Sequence, residues 1–260
     1  MLLESKTAVI YGAGGAIGAT VARTFAREGA RVFLAGRTRA KLDEVAGEIR
    51  SAGGVAETAS VDALDEQAVN TYVDTVAREA GRIDISFNLI SFGDVQGLPL
   101  VEMSLEDFAR PISTGVRTHF LTTRAAARHM IRRGSGVILA LGGTTDPVPL
   151  LGGLRATFDA IESLRRQWAC ELGPYGVRVV TLKTGGVPET LPAGPHHDRR
   201  HREHLLRRAH GLLATQAGDG RRSQGQACSW SPLVWSRSRM TSRRRSSSAV
   251  ERVASMPSRR

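Results

Sequence analysis

The run Tyr11-Gly12-Ala13-Gly14-Gly15-Ala16-Ile17-Gly18 decides how this 260-residue chain is read. It closes a short apolar stretch, residues 7–11, and leads at once into a stretch with helical spacing, residues 17–28. Glycines between a strand and a helix let the backbone turn tightly and come close to a bound anion. The N–H groups of the helix's first turn then face that anion, and the helix dipole favours its charge. Gly18 would allow the helix to pack close to the strand. A structural turn also uses glycine, but a strand–turn–helix at the start of the chain points to the pyrophosphate of a dinucleotide.

Working outward, β-rich runs recur at residues 31–35, 55–60, 83–88, 136–141 and 177–182. Helical stretches lie between them at 39–52, 66–80, 105–132 and 156–172, with apolar residues three to four apart, as in Val21 and Phe25 or Leu42, Val45 and Ile49. Ser104 followed by Asp107 reads as the cap of the long fourth helix. Strands alternating with helices across short connections make right-handed βαβ units and a parallel sheet. The fold class is therefore α/β, a doubly wound parallel sheet of the Rossmann-like kind in a single domain.

The second strand ends in Ala35-Gly36-Arg37-Thr38. A site that prefers NAD places an acid there for the ribose hydroxyls, and this chain has none. A guanidinium suits the 2′-phosphate of NADP, so Arg37 points to NADP, with NAD the alternative; a solvated strand-end arginine would look the same.

The chain carries 36 Lys plus Arg against 25 Asp plus Glu, a net charge of +11, with a pI near 10.9. Such a balance would ordinarily point to nucleic acid. Residues 1–194 are neutral, however, with 21 basic and 21 acidic side chains. The excess lies wholly in residues 195–260, which hold 15 Arg, no Lys and four acids, and no Ile, Phe, Tyr or Asn. An Arg/Ser-rich arm gripping phosphates, with Trp230 and Trp235 stacking on bases, is one reading. The complete preference for Arg over Lys favours the other, a disordered tail from a shifted reading frame, because Lys would grip phosphate equally well. Nucleic acid is thereby disfavoured as a partner. His196, His197, His201 and His204 have metal-like spacing but no nearby Cys, and no metal site is expected. Two cysteines, no secretory layout and no membrane-length apolar run place the expectation in the cytoplasm, with no membrane partner.

These residues resemble the classical short-chain dehydrogenase/reductase family from about Leu3 to Thr190. The likeness rests on the glycine turn, on Val61-Asp62-Ala63-Leu64-Asp65, on Asp84-Ile85-Ser86-Phe87-Asn88, and above all on Glu171-Leu172-Gly173-Pro174-Tyr175-Gly176-Val177-Arg178-Val179. The resemblance implies a cofactor site of Gly12, Gly14, Gly15, Ala16, Ile17, Gly18 and Arg37. Asp62 and Ala63 would border the adenine, Asn88 would stand beside the cofactor, and Gly186, Val187 and Thr190 would reach the nicotinamide. Ala16 stands where the family has Gly, and Leu89-Ile90-Ser91 where it has Asn-Ala-Gly.

The family's chemistry uses a Tyr to transfer the proton, a Lys to lower its pKa, a Ser to orient the carbonyl and an Asn to support a relay. Counted along this chain, those positions fall on Leu154, Phe158, Gly143 and Gly115, and none can do that work. Thr144, Thr145, Asp146 and His119 are weak stand-ins. The expectation is an NADP(H)-dependent oxidoreductase, weak or inactive in this chain, acting on a small carbonyl or hydroxyl compound; the alternative is a non-catalytic dinucleotide-binding sensor or scaffold. The family's closing seventh strand is also missing from residues 195–260, where Leu233-Val234-Trp235 is a poor candidate. The sixth strand would then be an apolar edge that tends to pair with other chains, and homo-oligomerisation is expected to be impaired. The dimer face that the resemblance places on the fourth and fifth long helices is still present for self-association.

Overall fold

A computed structural model describes residues 1–143 and 148–184. Six parallel strands form one sheet in the order β3-β2-β1-β4-β5-β6: β1 (Thr7–Tyr11), β2 (Arg31–Gly36), β3 (Val55–Ser60), β4 (Ile85–Asn88), β5 (Gly136–Gly142) and β6 (Val177–Lys183). The helices are α1 (Ala16–Arg27), α2 (Arg39–Ser51), α3 (Glu66–Ala80), α4 (Leu105–Arg133) and α5 (Gly153–Leu172). Strand order reverses between β1 and β4, which opens a crevice at the carboxyl ends of those two strands, where ligands bind in such sheets. The doubly wound fold read from the sequence is the fold observed.

Both faces of the sheet are covered, so its central strands are apolar almost without alternation, and all five residues of β1 are buried. Ala8, Ile10, Val32 and Leu34 pack on one face against Ala22 of α1 and Leu42 and Ile49 of α2. Val9, Tyr11 and Phe33 pack on the other against Val69, Val73 and Val76 of α3 and Ala125, Ala126 and Met130 of α4. In β6 the alternation returns: Val177 and Val179 are buried while Val180 and Leu182 are 41% and 47% exposed.

Local signals set the helix ends. Asp65 caps α3 by accepting from the N–H groups of Gln67 (2.9 Å) and Ala68 (3.0 Å), and Ser104 caps α4 by accepting from Asp107 N–H at 3.0 Å. One helix starts three residues before the expected 156. A Cβ on Gly153 would run into the Phe108 carbonyl and Pro111, so this glycine opens α5 because α4 crosses it closely, where the sequence reads as loop.

The foot of the sheet is tied by a charged group. Asp84, just before β4, accepts from Thr7 N–H at 2.9 Å, from Arg82 Nε at 2.7 Å and from Arg133 Nη1 at 3.0 Å. Burial would raise its carboxyl, but these donors outweigh burial and hold it below the ordinary carboxylate range. The buried start of β4 thus holds β1 and the last turn of α4 together. No helix among the described residues is long and apolar enough to cross a membrane.

Candidate functional site

The glycine turn stands at the crevice. Gly12 leaves β1 with φ +73°, a left-handed conformation in which a side chain is strained. Its N–H donates to the Ala35 carbonyl at 2.9 Å, and Gly15 N–H donates to the Gly12 carbonyl at 3.0 Å, which closes the turn. A Cβ on Gly12 would collide with the Leu89 carbonyl after β4; one on Gly18 would collide with the Gly12 carbonyl and sit 2.8 Å from Ala13 Cα. Gly12 and Gly18 are therefore required by close backbone approach. A Cβ on Gly15 would make only an ordinary contact at 3.4 Å. The first turn of α1 contains no acid and its N-cap, Gly15, offers no side chain, so the N–H groups of Ala16, Ile17 and Gly18 meet no capping group. Ala16 is exposed, and its methyl closes nothing. These residues fit a dinucleotide pyrophosphate: the backbone is as open as side-chain-free turns allow, and its donors are uncapped.

Around the turn, Arg37 is exposed at the end of β2 and makes no ion pair among the described residues. Asp62 is exposed, with Oδ1 accepting from Leu64 N–H at 2.9 Å, and Ala63 beside it is buried. Asn88 is buried at the end of β4, its Nδ2 donating to Thr122 Oγ1 of α4 at 3.2 Å and its Oδ1 accepting from Ile90 N–H at 3.1 Å. Its amide thus ties β4 to α4. Gly14 lies against α2: a Cβ there would be 3.0 Å from Lys41 Cβ. Sequence reasoning passed over Lys41, although it stands only four residues beyond Arg37. Thr144, Thr145, Asp146, Gly186, Val187, Thr190, the four histidines at 196–204 and the whole of residues 195–260 lie outside the described residues.

On the other side of the crevice, the positions expected for proton transfer gather around one apolar cluster. Phe92, Ala140 and Ile161 are buried there, with Leu154 and Phe158 packed against them. The Phe92 and Phe158 rings meet edge to face, centroids 6.3 Å apart. A Cβ on Gly143 would lie 2.6 Å from Phe158 Cδ2, so the ring rests where a side chain at 143 would begin. A Cβ on Gly115 would lie 2.5 Å from Thr157 Cγ2 and 3.3 Å from Ile161 Cδ1. Gly115 and Gly143 are the counterparts of large neighbours on α5. Phe92, which bridges the two, carries no sequence signal beyond its apolarity.

His119 is buried one turn along α4 from Gly115. Its Nδ1 is 2.9 Å from the Gly115 carbonyl, which requires the proton on Nδ1, and Nε2 is buried with no partner among the described residues. Desolvation outweighs that hydrogen bond and pushes its pKa down to about 4. The ring is neutral near pH 7 and bonds back to its own helix.

A parallel sheet with a glycine turn at its switch point defines a dinucleotide-binding α/β protein. Comparison with known proteins narrows the class. The family model for short chain dehydrogenase matches residues 6–196. Gluconate 5-dehydrogenase of Gluconobacter oxydans (strain 621H) is 34% identical over 185 residues, covering 70% of this chain and 72% of that protein. Among solved structures, an NAD+-bound xylitol dehydrogenase is 28% identical with a TM-score of 0.65, covering 70% of this chain and 72% of that one. A metagenomic short-chain oxidoreductase in complex with NADP is also 28% identical, with a TM-score of 0.66, covering 83% and 93%. The chain belongs to the short-chain dehydrogenase family of oxidoreductases.

Proposed function

We propose that this chain binds NADP(H) in its first 194 residues and supports at most slow hydride transfer with a small carbonyl or hydroxyl compound. The observation that carries the reading is the acid-free end of β2, where Arg37 is exposed and makes no ion pair among the described residues. In it, Gly12, Gly14, Gly15, Ala16, Ile17 and Gly18 hold the pyrophosphate by backbone donors, Asp62 and Ala63 border the adenine, and Asn88 fixes the wall formed by β4 and α4. Arg37 pairs with the ribose 2′-phosphate. Val187 and Thr190 are assigned to the nicotinamide side by the family resemblance. The nicotinamide supplies or accepts the hydride when bound.

Slow turnover follows from the other wall. Gly115, Gly143, Leu154 and Phe158 offer no proton donor, and His119 is neutral, its one ring proton held on Nδ1 by the Gly115 carbonyl, so it has none to give from Nε2. Hydride transfer then relies on proximity alone and on water for the proton, which forgoes the roughly 10²–10⁴-fold that a positioned acid contributes. Residues 195–260 take no part in this reading. A cytoplasmic setting is part of the reading, since two cysteines are too few for a disulfide framework. Phe120 of α4 and Trp168 of α5, with rings 5.7 Å apart, mark the face through which two copies would associate.

The test is titration of the full chain with NADPH and NADH by nucleotide fluorescence, followed by absorbance at 340 nm with a panel of ketones and quinones. Tighter NADPH binding with slow or undetectable turnover is the expected result. Failure to bind either nucleotide, or turnover at rates ordinary for dehydrogenases, on the order of 10 s⁻¹, overturns it.

A further inference from the structure

We propose that Lys41 is a second cation of the 2′-phosphate site and, with Arg37, sets the preference for NADP(H) over NAD(H); the inference rests on the NADP reading above. Leu42 fixes where Lys41 stands. Its side chain is 1% exposed and packs beneath both glycine segments, with Cδ2 3.7 Å from a Cβ placed on Gly14 and 3.5 Å from one placed on Gly36. That plug locks the first turn of α2 against the glycine turn. It leaves Lys41, the preceding residue, with its Cβ against Gly14 and its ammonium exposed.

Two of the three acids of α2 are engaged elsewhere. Asp43 accepts from Arg39 Nε at 2.9 Å and 3.0 Å and from the Thr58 hydroxyl at 2.6 Å, and Glu48 pairs with Arg23 at 2.6 Å. Glu44 is the one remaining acid of α2. Lys41 and Arg37 make no ion pair among the described residues, so an exposed cation against Gly14 and a second at the end of β2 are both available to an anion there. A phosphate monoester carries close to two negative charges at neutral pH, and two cations match it where one leaves half the charge unmet. Lys41 acts as a mobile point charge, Arg37 as a planar fork.

The experiment measures binding of NADPH, NADH, adenosine 2′,5′-diphosphate and adenosine 5′-phosphate to the full chain and to Lys41→Ala, Lys41→Arg, Lys41→Glu and Arg37→Ala. A charge-assisted contact at a solvent-exposed site is worth about tenfold in affinity. Lys41→Ala should weaken NADPH and the 2′,5′-diphosphate about tenfold while NADH and the 5′-phosphate change less than about twofold. Lys41→Arg should retain most of the preference, and Lys41→Glu should reverse it. The inference is overturned if wild type prefers NADPH and Arg37→Ala abolishes that preference, yet Lys41→Ala leaves it intact or weakens all four ligands equally. Wild type binding NADPH no better than NADH would instead remove the NADP reading and this inference with it. Melting curves of the variants, all at an exposed position, report folding separately.

Discussion

The two walls of the crevice depend on sequence in opposite ways. The wall made by β1, α1 and the end of β2 is defined by missing side chains: Gly12 and Gly18 permit backbone contacts that no other residue would. The wall made by α4, β5 and α5 is defined by side chains that are present, with Phe158 over Gly143 and Thr157 and Ile161 over Gly115. In the first, each glycine is fixed by immovable backbone. In the second, each glycine is fixed by a neighbour that can itself be exchanged. Side-chain changes that repack the second wall therefore leave the backbone of the first in place, because the two rest on different atoms.

The largest expected effect tests the first wall. Gly12→Val forces a β-branched residue to a positive φ and drives its Cβ into the Leu89 carbonyl. It should cost about 3 kcal/mol or more and weaken NADPH by over about 100-fold, read by denaturant melts and fluorescence titration. A variant that melts and binds normally would show that the turn does not organise this wall.

Next in size, the second wall should be the acid-labile one. His119 is held neutral when folded, with a pKa near 4 against 6.5 in the open chain, so the unfolded state takes up the proton first as pH falls. Stability should drop by about 3 kcal/mol between pH 6.5 and 4 and then level off for this group. His119→Leu should flatten that window; a profile unchanged by the substitution would assign the loss to other groups. Glu162 acts at lower pH: hydrogen bonding from Arg165 outweighs its desolvation, and with Thr181 and the charge of Lys183 it holds the carboxyl at about 2. Its stabilisation is present above the ordinary 4.5 and is lost as pH falls from there towards 2.

A smaller effect measures whether the second wall is mutually adapted. Gly143→Ser should destabilise by about 1–3 kcal/mol through overlap with Phe158, and Gly143→Ser with Phe158→Ala should lose less than the sum of the two single changes. Strict additivity in chemical denaturation would mean the ring and the glycine are independent. The smallest effect is expected of Ala16→Gly. Ala16 is exposed at the first position of α1, so NADPH affinity should move by less than about threefold, at a helix cost of up to about 1 kcal/mol.

Much of this was legible along the chain. Residues 55–60 and 66–80 are strand and helix as expected, and in the helix the three-to-four spacing of Val69, Val73 and Val76 acts locally. Ser104 caps its helix as read. The start of α5 was not legible, since Gly153 is fixed by Phe108, far away in sequence. For the same reason Lys41 beside Gly14, Thr122 as partner of Asn88, and Phe92 between Gly115 and Phe158 emerge only from tertiary contacts. His119 does lie one turn from Gly115, as counted, but its Nδ1 is taken by that residue's carbonyl.

The clasp at Asp84 gives the sheet a direction of opening. Thr7 N–H is held by that carboxylate and Val137 N–H by the Asp84 carbonyl at 2.8 Å, while Arg133 brings in the end of α4. Amides at this foot should exchange with solvent only when the whole sheet unfolds. The opposite rim, where Gly12 and Leu89 meet across bare backbone, has no charged tie of that kind among the described residues and should exchange by local opening. A nucleotide seated at the rim would then slow exchange chiefly at the far end from the clasp, acting as the second fastening of a sheet already pinned at its base.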